Sequence, residues 1–262
     1  MDLGLRGRAA AVSASSKGLG RAVALELARE GVDVAICARS EAALRDTESA
    51  LRETDVRVLA MPIDLTEAGA PAAFVEATVA EFGRLDILFA NVGGPPAGTV
   101  DTFELADYEE AVNSNLMAQV KMCLAALPHM RAARWGRIII LGSLTMKQPV
   151  EGLMLSTMAR SGVAGFAKSL SDEIAAEGIT VNCVCPGRIL TDRIRTLAQM
   201  RSDRTGEPLE VSLKLFDADM PAKRMGQPEE LSALVAFLAS ERASYITGAA
   251  IQVDGGWTRS IT

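Results

Sequence analysis

The tightest constraint on what this chain can fold into lies in residues 8–30, which read RAAAVSASSKGLGRAVALELARE. Residues 8–13 form a short apolar run with the bulk of a buried strand, and Ala22, Val23, Leu25, Leu27 and Ala28 then recur at helical spacing. Between them stands a turn of small residues, Ser13-Ala14-Ser15-Ser16-Lys17-Gly18-Leu19-Gly20. Side chains this small let backbone N–H groups approach a pyrophosphate, which then rests at the positive end of the following helix. Strand, small-residue turn and helix in this order are therefore expected to hold a dinucleotide, with Ser13, Ser15, Ser16, Lys17, Gly18, Leu19 and Gly20 as the cradle.

The rest of the chain repeats the alternation. Strands are predicted over 32–38, 56–62, 85–90, 137–141, 180–185 and 250–253, separated by helices over 40–52, up to 82, 104–134, 153–177 and 228–240. Such a rhythm calls for right-handed crossovers, hence an α/β, Rossmann-type doubly wound parallel sheet of about seven strands with helices on both faces. Residues 188–226 interrupt it with Arg, Asp, Gly and Pro and are expected to make a short helical excursion, placed where a substrate lid would be built. No repeat or linker appears, so residues 1–262 are expected to be a single domain.

Composition narrows the function. The formal net charge is −6 without a basic run, which argues against a nucleic-acid surface. The opening MDLGLRGR has no apolar signal region, and no apolar stretch is long enough to span a bilayer. Cys37, Cys123, Cys183 and Cys185 fall inside predicted elements without metal-ligand spacing. Buried free thiols, no metal and a cytoplasmic location are the expectation.

Beyond the turn, several segments in order along the chain resemble the short-chain dehydrogenase/reductase family, and in particular its 3-oxoacyl-(acyl carrier protein)-reductase-like members. The turn itself resembles the family's TGxxxGxG, with Ser13 for Thr and Ala14 for the first Gly; alanine tolerates positive φ poorly, so the turn must avoid that region or be strained. Ala90-Asn91-Val92-Gly93 resembles the NNAG segment on the adenine side of the cofactor pocket, which assigns Asn91 and Gly93. Val112-Asn113-Ser114-Asn115 resembles the segment whose asparagine holds the active-site water chain, here Asn115. Residues 136–143 resemble the strand that delivers the catalytic serine, here Ser143, and Pro186, Gly187 and Thr191 match the segment bordering the nicotinamide. The resemblance also implies a homotetramer built on the two long helices.

Coenzyme choice turns on the group meeting the adenosine ribose. A 2′-hydroxyl is read by a carboxylate at the end of the second strand, whereas a 2′-phosphate needs cations. That strand ends in Cys37-Ala38-Arg39, and Lys17 supplies a second charge, so NADP(H) is expected over NAD(H), the alternative being two solvated surface cations. Asp64, just past the third strand, completes this side of the site.

One departure qualifies the activity. Where the family carries a Tyr-x-x-x-Lys pair after the serine, this chain has Ser156 and Arg160, still one helical turn apart. Serine is a much weaker acid than tyrosine, and a guanidinium does not pass protons along a relay. Losing a positioned general acid costs roughly 10²- to 10⁴-fold, while juxtaposition of cofactor and substrate is worth up to about 7 to 11 kcal/mol. Slow hydride transfer thus remains open, with Lys147 as a substitute donor; so does a cofactor-binding protein without hydride chemistry, acting as a redox sensor or partner subunit. Tyr108, Tyr245 and His129 read as packing residues, and Ser143 without a His and an acid is no hydrolase nucleophile.

Overall fold

A computed structural model describes residues 2–261. Small residues throughout β1 (Ala9–Val12) allow helices to pack closely on both of its faces: Ala9 and Ala11 turn to one layer, Ala10 and Val12 to the other. β1 lies inside a seven-stranded parallel sheet in the order β3-β2-β1-β4-β5-β6-β7. The other strands are β2 (Asp33–Ala38), β3 (Val58–Pro62), β4 (Ile87–Ala90), β5 (Gly136–Leu141), β6 (Ile179–Pro186) and β7 (Ala250–Val253). One face is covered by α1 (Gly18–Arg29), α2 (Glu41–Leu51) and α9 (Pro228–Ala239). The opposite face is covered by α3 (Ala70–Phe82), α5 (Ala118–Ala133) and α6 (Met154–Ile174). Strand order reverses between β1 and β4, and the crevice beyond their carboxyl ends is where open α/β sheets bind ligands.

The expected elements are present with boundaries shifted by a few residues. Ser40 caps α2, its hydroxyl accepting from the Ala43 amide at 3.4 Å. The helix predicted over 104–134 is divided into α4 (Leu105–Val112), a π-helical turn over Asn113–Met117, and α5. That wider turn carries Asn115, and π turns of this kind concentrate at functional sites.

Two expectations are corrected. Residues 188–226 do not make a short excursion but two helices, α7 (Asp192–Thr205) of 14 residues and α8 (Leu209–Asp219) of 11. In α7 only Ala198 is fully buried, so the apolar periodicity that announces a helix is almost missing from its sequence. Tyr245, expected to pack, is fully exposed.

At the amino edge of the sheet a cluster of charges is paired. Asp86, 1% exposed, accepts from the Ala9 amide at 2.9 Å and pairs with Arg84 at 2.6 Å and Arg8 at 3.2 Å. Glu241 takes Arg8 at 2.9 Å and the Trp135 indole at 2.8 Å, with Arg137 at 3.7 Å. Arg8 and Arg137 both stack on Trp135, 3.8 and 4.2 Å from its centroid. Among the described residues no helix is long and apolar enough to cross a membrane.

Candidate active site

The turn between β1 and α1 is shaped by its two buried serines. Ser13 Oγ accepts from the Asn91 amide at 2.7 Å and donates to the Asn91 carbonyl at 2.6 Å, tying the end of β1 to the end of β4. Ser15 Oγ donates to the Val12 carbonyl at 2.9 Å and accepts from the Cys37 amide at 3.1 Å, tying the turn to β2. The amides of both serines are also spent, on Phe89 and Cys37 carbonyls. Ser13 and Ser15 therefore hold the cradle's shape, and the groups left to face a ligand are Ser16, Lys17 and the amides of Gly18, Leu19 and Gly20. No side chain caps α1, so those amides lack a side-chain acceptor among the described residues. At Gly20 a Cβ would collide with the Ala14 carbonyl oxygen. Ala14 itself sits at φ +49°, so of the two outcomes open to this turn the strained one is realised.

Around the cradle, Asn91 donates through Nδ2 to the Ala14 carbonyl at 3.3 Å. Arg39 is exposed just past β2, and Asp64 stands past β3. The Thr66 amide holds the Asp64 carboxyl below its ordinary range, opposed by partial burial and helped by the Thr66 hydroxyl and the charge of Arg39. Gly93 lies in the loop after β4, and Gly187, following Pro186, donates to the Val253 carbonyl at 3.0 Å. Thr191 opens α7, with its methyl beside Gly18. From the same segment Asp192 pairs with Lys17 at 3.3 Å, and Arg193 donates to the Pro95 carbonyl at 2.7 Å. The start of α7 thus bridges the crevice from the glycine turn to the β4 loop.

Ser143 follows β5 and accepts from the Thr145 amide at 3.2 Å. Ser156 is buried, its hydroxyl 3.3 Å from Thr145 Oγ1, a partner that sequence reasoning missed. Arg160 is only 4% exposed and lies along interior backbone: Nη1 donates to the Leu141 carbonyl at 2.5 Å and to Gln119 Oε1 at 3.2 Å, Nη2 to Asn115 Oδ1 at 3.4 Å. Burial pulls its pKa down to about 10, leaving it charged at neutral pH. Gln119, also missed, donates to the Ala90 carbonyl at 2.9 Å and the Leu141 carbonyl at 3.1 Å, joining the carboxyl ends of β4 and β5. Its signal in the sequence was faint: one amide among the buried Ala118, Met122 and Cys123 of α5.

Below these groups, burial pushes the Cys183 and Cys185 thiols up to about 12 and about 11, with Arg160 and Lys147 both pulling the other way. Lys147 therefore stands on the same side of the sheet as Ser143 and Arg160. His129 lies elsewhere, 3.0 Å from Glu76 on α3, and Tyr108 makes an edge contact with Phe103. Among the described residues no group of His, Cys, Asp and Glu side chains could hold a metal ion. The unfilled amides of α1, the close packing at Gly20 and the flanking cations fit a dinucleotide whose phosphates lie across the switch point.

A doubly wound sheet with this turn at its reversal defines a dinucleotide-binding α/β protein. The profile of the family described as enoyl-(acyl carrier protein) reductase matches residues 13–258. The 3-oxoacyl-(acyl carrier protein) reductase of Pseudomonas aeruginosa is 32% identical over 254 residues, covering 97% of this chain and 98% of that protein. L-sorbose reductase from Gluconobacter frateurii, solved with NADPH and L-sorbose, superposes with a TM-score of 0.95 at 32% identity over the full length of both chains. An NADPH-dependent reductase involved in bacilysin biosynthesis gives 0.90 at 30% identity, over 97% of this chain and 99% of that one. The chain belongs to the short-chain dehydrogenase/reductase family and is an oxidoreductase of that type.

Proposed function

We propose that the chain is an NADP(H)-dependent oxidoreductase that moves a hydride to or from a carbonyl or alcohol substrate, with a proton supply unlike the family's tyrosine. The observation that carries this reading is the open cradle at the switch point, whose amides lack side-chain acceptors and whose neighbours Lys17 and Arg39 are exposed cations. No acid ends β2, and the NADPH named in the Gluconobacter structure agrees with the choice of coenzyme. Residues 1–262 then act as one domain, with 188–226 as the substrate lid.

When bound, the nicotinamide supplies the site for hydride exchange. Amides of Gly18, Leu19 and Gly20 hold the phosphates, Arg39 and Lys17 the 2′-phosphate, and Asp64, Asn91 and Gly93 border the adenosine. Pro186, Gly187 and Thr191 line the nicotinamide end. Ser143 donates to the substrate oxygen, Asn115 holds the active-site water chain, and Ser156 and Arg160 occupy the places of the missing pair. Because Arg160 stays charged and Ser156 is a poor acid, the proton comes from Lys147 or from water.

Replacing Arg39→Asp should lower the NADPH-over-NADH affinity ratio by about tenfold or more, read by calorimetry, since it exchanges a phosphate partner for a repelling charge. An unchanged ratio would remove the assignment. A second reading, a cofactor binder without hydride chemistry, is favoured by Ser156 facing Thr145 and by Arg160 lying on interior carbonyls. The double change Ser156→Tyr with Arg160→Lys separates the two in a carbonyl screen with NADPH. Turnover rising about 10²-fold or more marks a disarmed conventional site, and a fall in an existing activity marks different native chemistry.

The buried free thiols suit a cytoplasmic setting. A homotetramer follows from family resemblance, and the exposed Met117, Leu124, Met154 and Met158 offer apolar surface to cover; light scattering reads the assembly directly.

A further inference from the structure

Arg160 differs from Arg8, Arg84 and Arg137 in what surrounds it. Arg8, Arg84 and Arg137 each have a carboxylate within ion-pair distance. For Arg160 no described carboxylate lies that close, and its three acceptors, the Leu141 carbonyl, Gln119 Oε1 and Asn115 Oδ1, are all neutral. Gln119 fixes this arrangement, because its Nε2 is committed to the Ala90 and Leu141 carbonyls and only Oε1 is left to face the guanidinium. The nearby thiols of Cys183 and Cys185 are held protonated by burial and supply no counter-charge. Lys147 acts on the same two thiols and has the same sign as Arg160. The acid that reaches this neighbourhood, Asp254, spends its oxygens on the Gly256 amide at 2.9 Å and the Thr258 amide at 2.7 Å.

Resting on the reading that the site takes a nicotinamide dinucleotide, we infer that Arg160, locked in place by Gln119 as a buried charge without a counter-ion, makes the site prefer the reduced coenzyme over the oxidised one. This preference loads the site with NADPH and weakens its hold on NADP+, leaving the overall reaction equilibrium unchanged. The two forms of the coenzyme differ by one positive charge, carried on the oxidised ring. A fixed guanidinium beside the end of β5 repels that charge and leaves the neutral ring alone. Solvent screens exposed cations such as Lys17 and Arg39, but not one that is buried. In the reductive direction the chain takes up NADPH, a carbonyl and a proton and releases the alcohol and NADP+, and the repulsion hastens release of the latter. Gln119 is thus a positioning residue, acting through Arg160.

The test is calorimetric titration of NADPH and NADP+ into the wild type and three variants. The wild type should bind NADPH about tenfold or more tightly than NADP+. Arg160→Gln keeps an amide donor and removes the charge; its ratio should fall about tenfold, chiefly through tighter NADP+, which corresponds to about 30 mV in the midpoint potential of the bound couple. Arg160→Lys should keep the ratio. Gln119→Glu keeps the arginine and sets a counter-charge against it, at the cost of the donor to the Ala90 and Leu141 carbonyls, and should lower the ratio as Arg160→Gln does, with retained NADPH affinity as the control for folding. An unchanged ratio in Arg160→Gln, or an equal fall in Arg160→Lys, overturns the inference while leaving the proposed function standing. Failure of the wild type to bind either coenzyme overturns both.

Discussion

The two edges of the sheet handle charge in opposite ways. At the amino edge three arginines, two acids and an indole satisfy one another, and Asp86 answers a backbone amide as well. At the carboxyl edge the amides of α1 lack side-chain acceptors, Ala14 is held at φ +49°, and Arg160 rests on neutral oxygens. The first arrangement serves only the fold. The second leaves the amides of α1 without side-chain acceptors, and a phosphorylated ligand is what would meet them.

The largest effect should come from breaking the first edge. Asp86→Ala strands the Ala9 amide and leaves Arg8 with only the exposed Glu241; loss of a partner from a buried pair costs about 3 to 5 kcal/mol. Because Arg8 and Arg84 are partly exposed, about 3 kcal/mol is expected in a urea titration. NADPH affinity at the other edge should stay within about twofold, since distant sites act independently. A comparable loss of affinity would show that the edges are not separable.

These edges were legible in the sequence to different depths. The sheet could be read because buried strands such as residues 136–141 are apolar almost throughout and alternate with helices long enough to cross over. The cradle could be read because its small residues are contiguous. What Ser13 and Ser15 do with their hydroxyls could not, since their partners Asn91 and Cys37 lie 22 to 78 residues away. The sequence puts Arg160 one helical turn after Ser156, but its inward course depends on Gln119 and Leu141, which only folding brings near. The helices α7 and α8 were hidden for another reason: α7 buries almost nothing, so its apolar pattern barely exists.

Ala14→Gly sharpens the contrast from the other side. A left-handed alanine costs about 1 to 2 kcal/mol, and glycine gives back about 0.5 to 1 through its freer unfolded chain. A net gain of about 0.5 to 1 kcal/mol is expected, or a rise of about 1 to 4 °C in thermal midpoint. Coenzyme affinity should hold, because Gly20 still packs on the same carbonyl. A loss of stability would mean that the left-handed turn is not strained.

The smallest effect belongs to an exposed ion pair at the start of α9. Glu230 pairs with Arg224 at 2.6 Å and accepts from the Gln227 amide at 2.8 Å, and these contacts lower its pKa from about 4.5 to about 2. A depressed folded-state value means that the contribution is fully present above about pH 4.5 and is lost as pH falls through about 2. The wild type should therefore exceed Glu230→Gln in thermal midpoint by a small margin at neutral pH, and the margin should close between about pH 4.5 and 2. The position of that window tests the pairing better than its height does, because exposed pairs contribute little to stability even when their geometry is good. A margin that persists at pH 2 would assign the effect of the substitution to packing of α9, and Asp86 would then be the sole pair in this comparison whose charge matters to the fold.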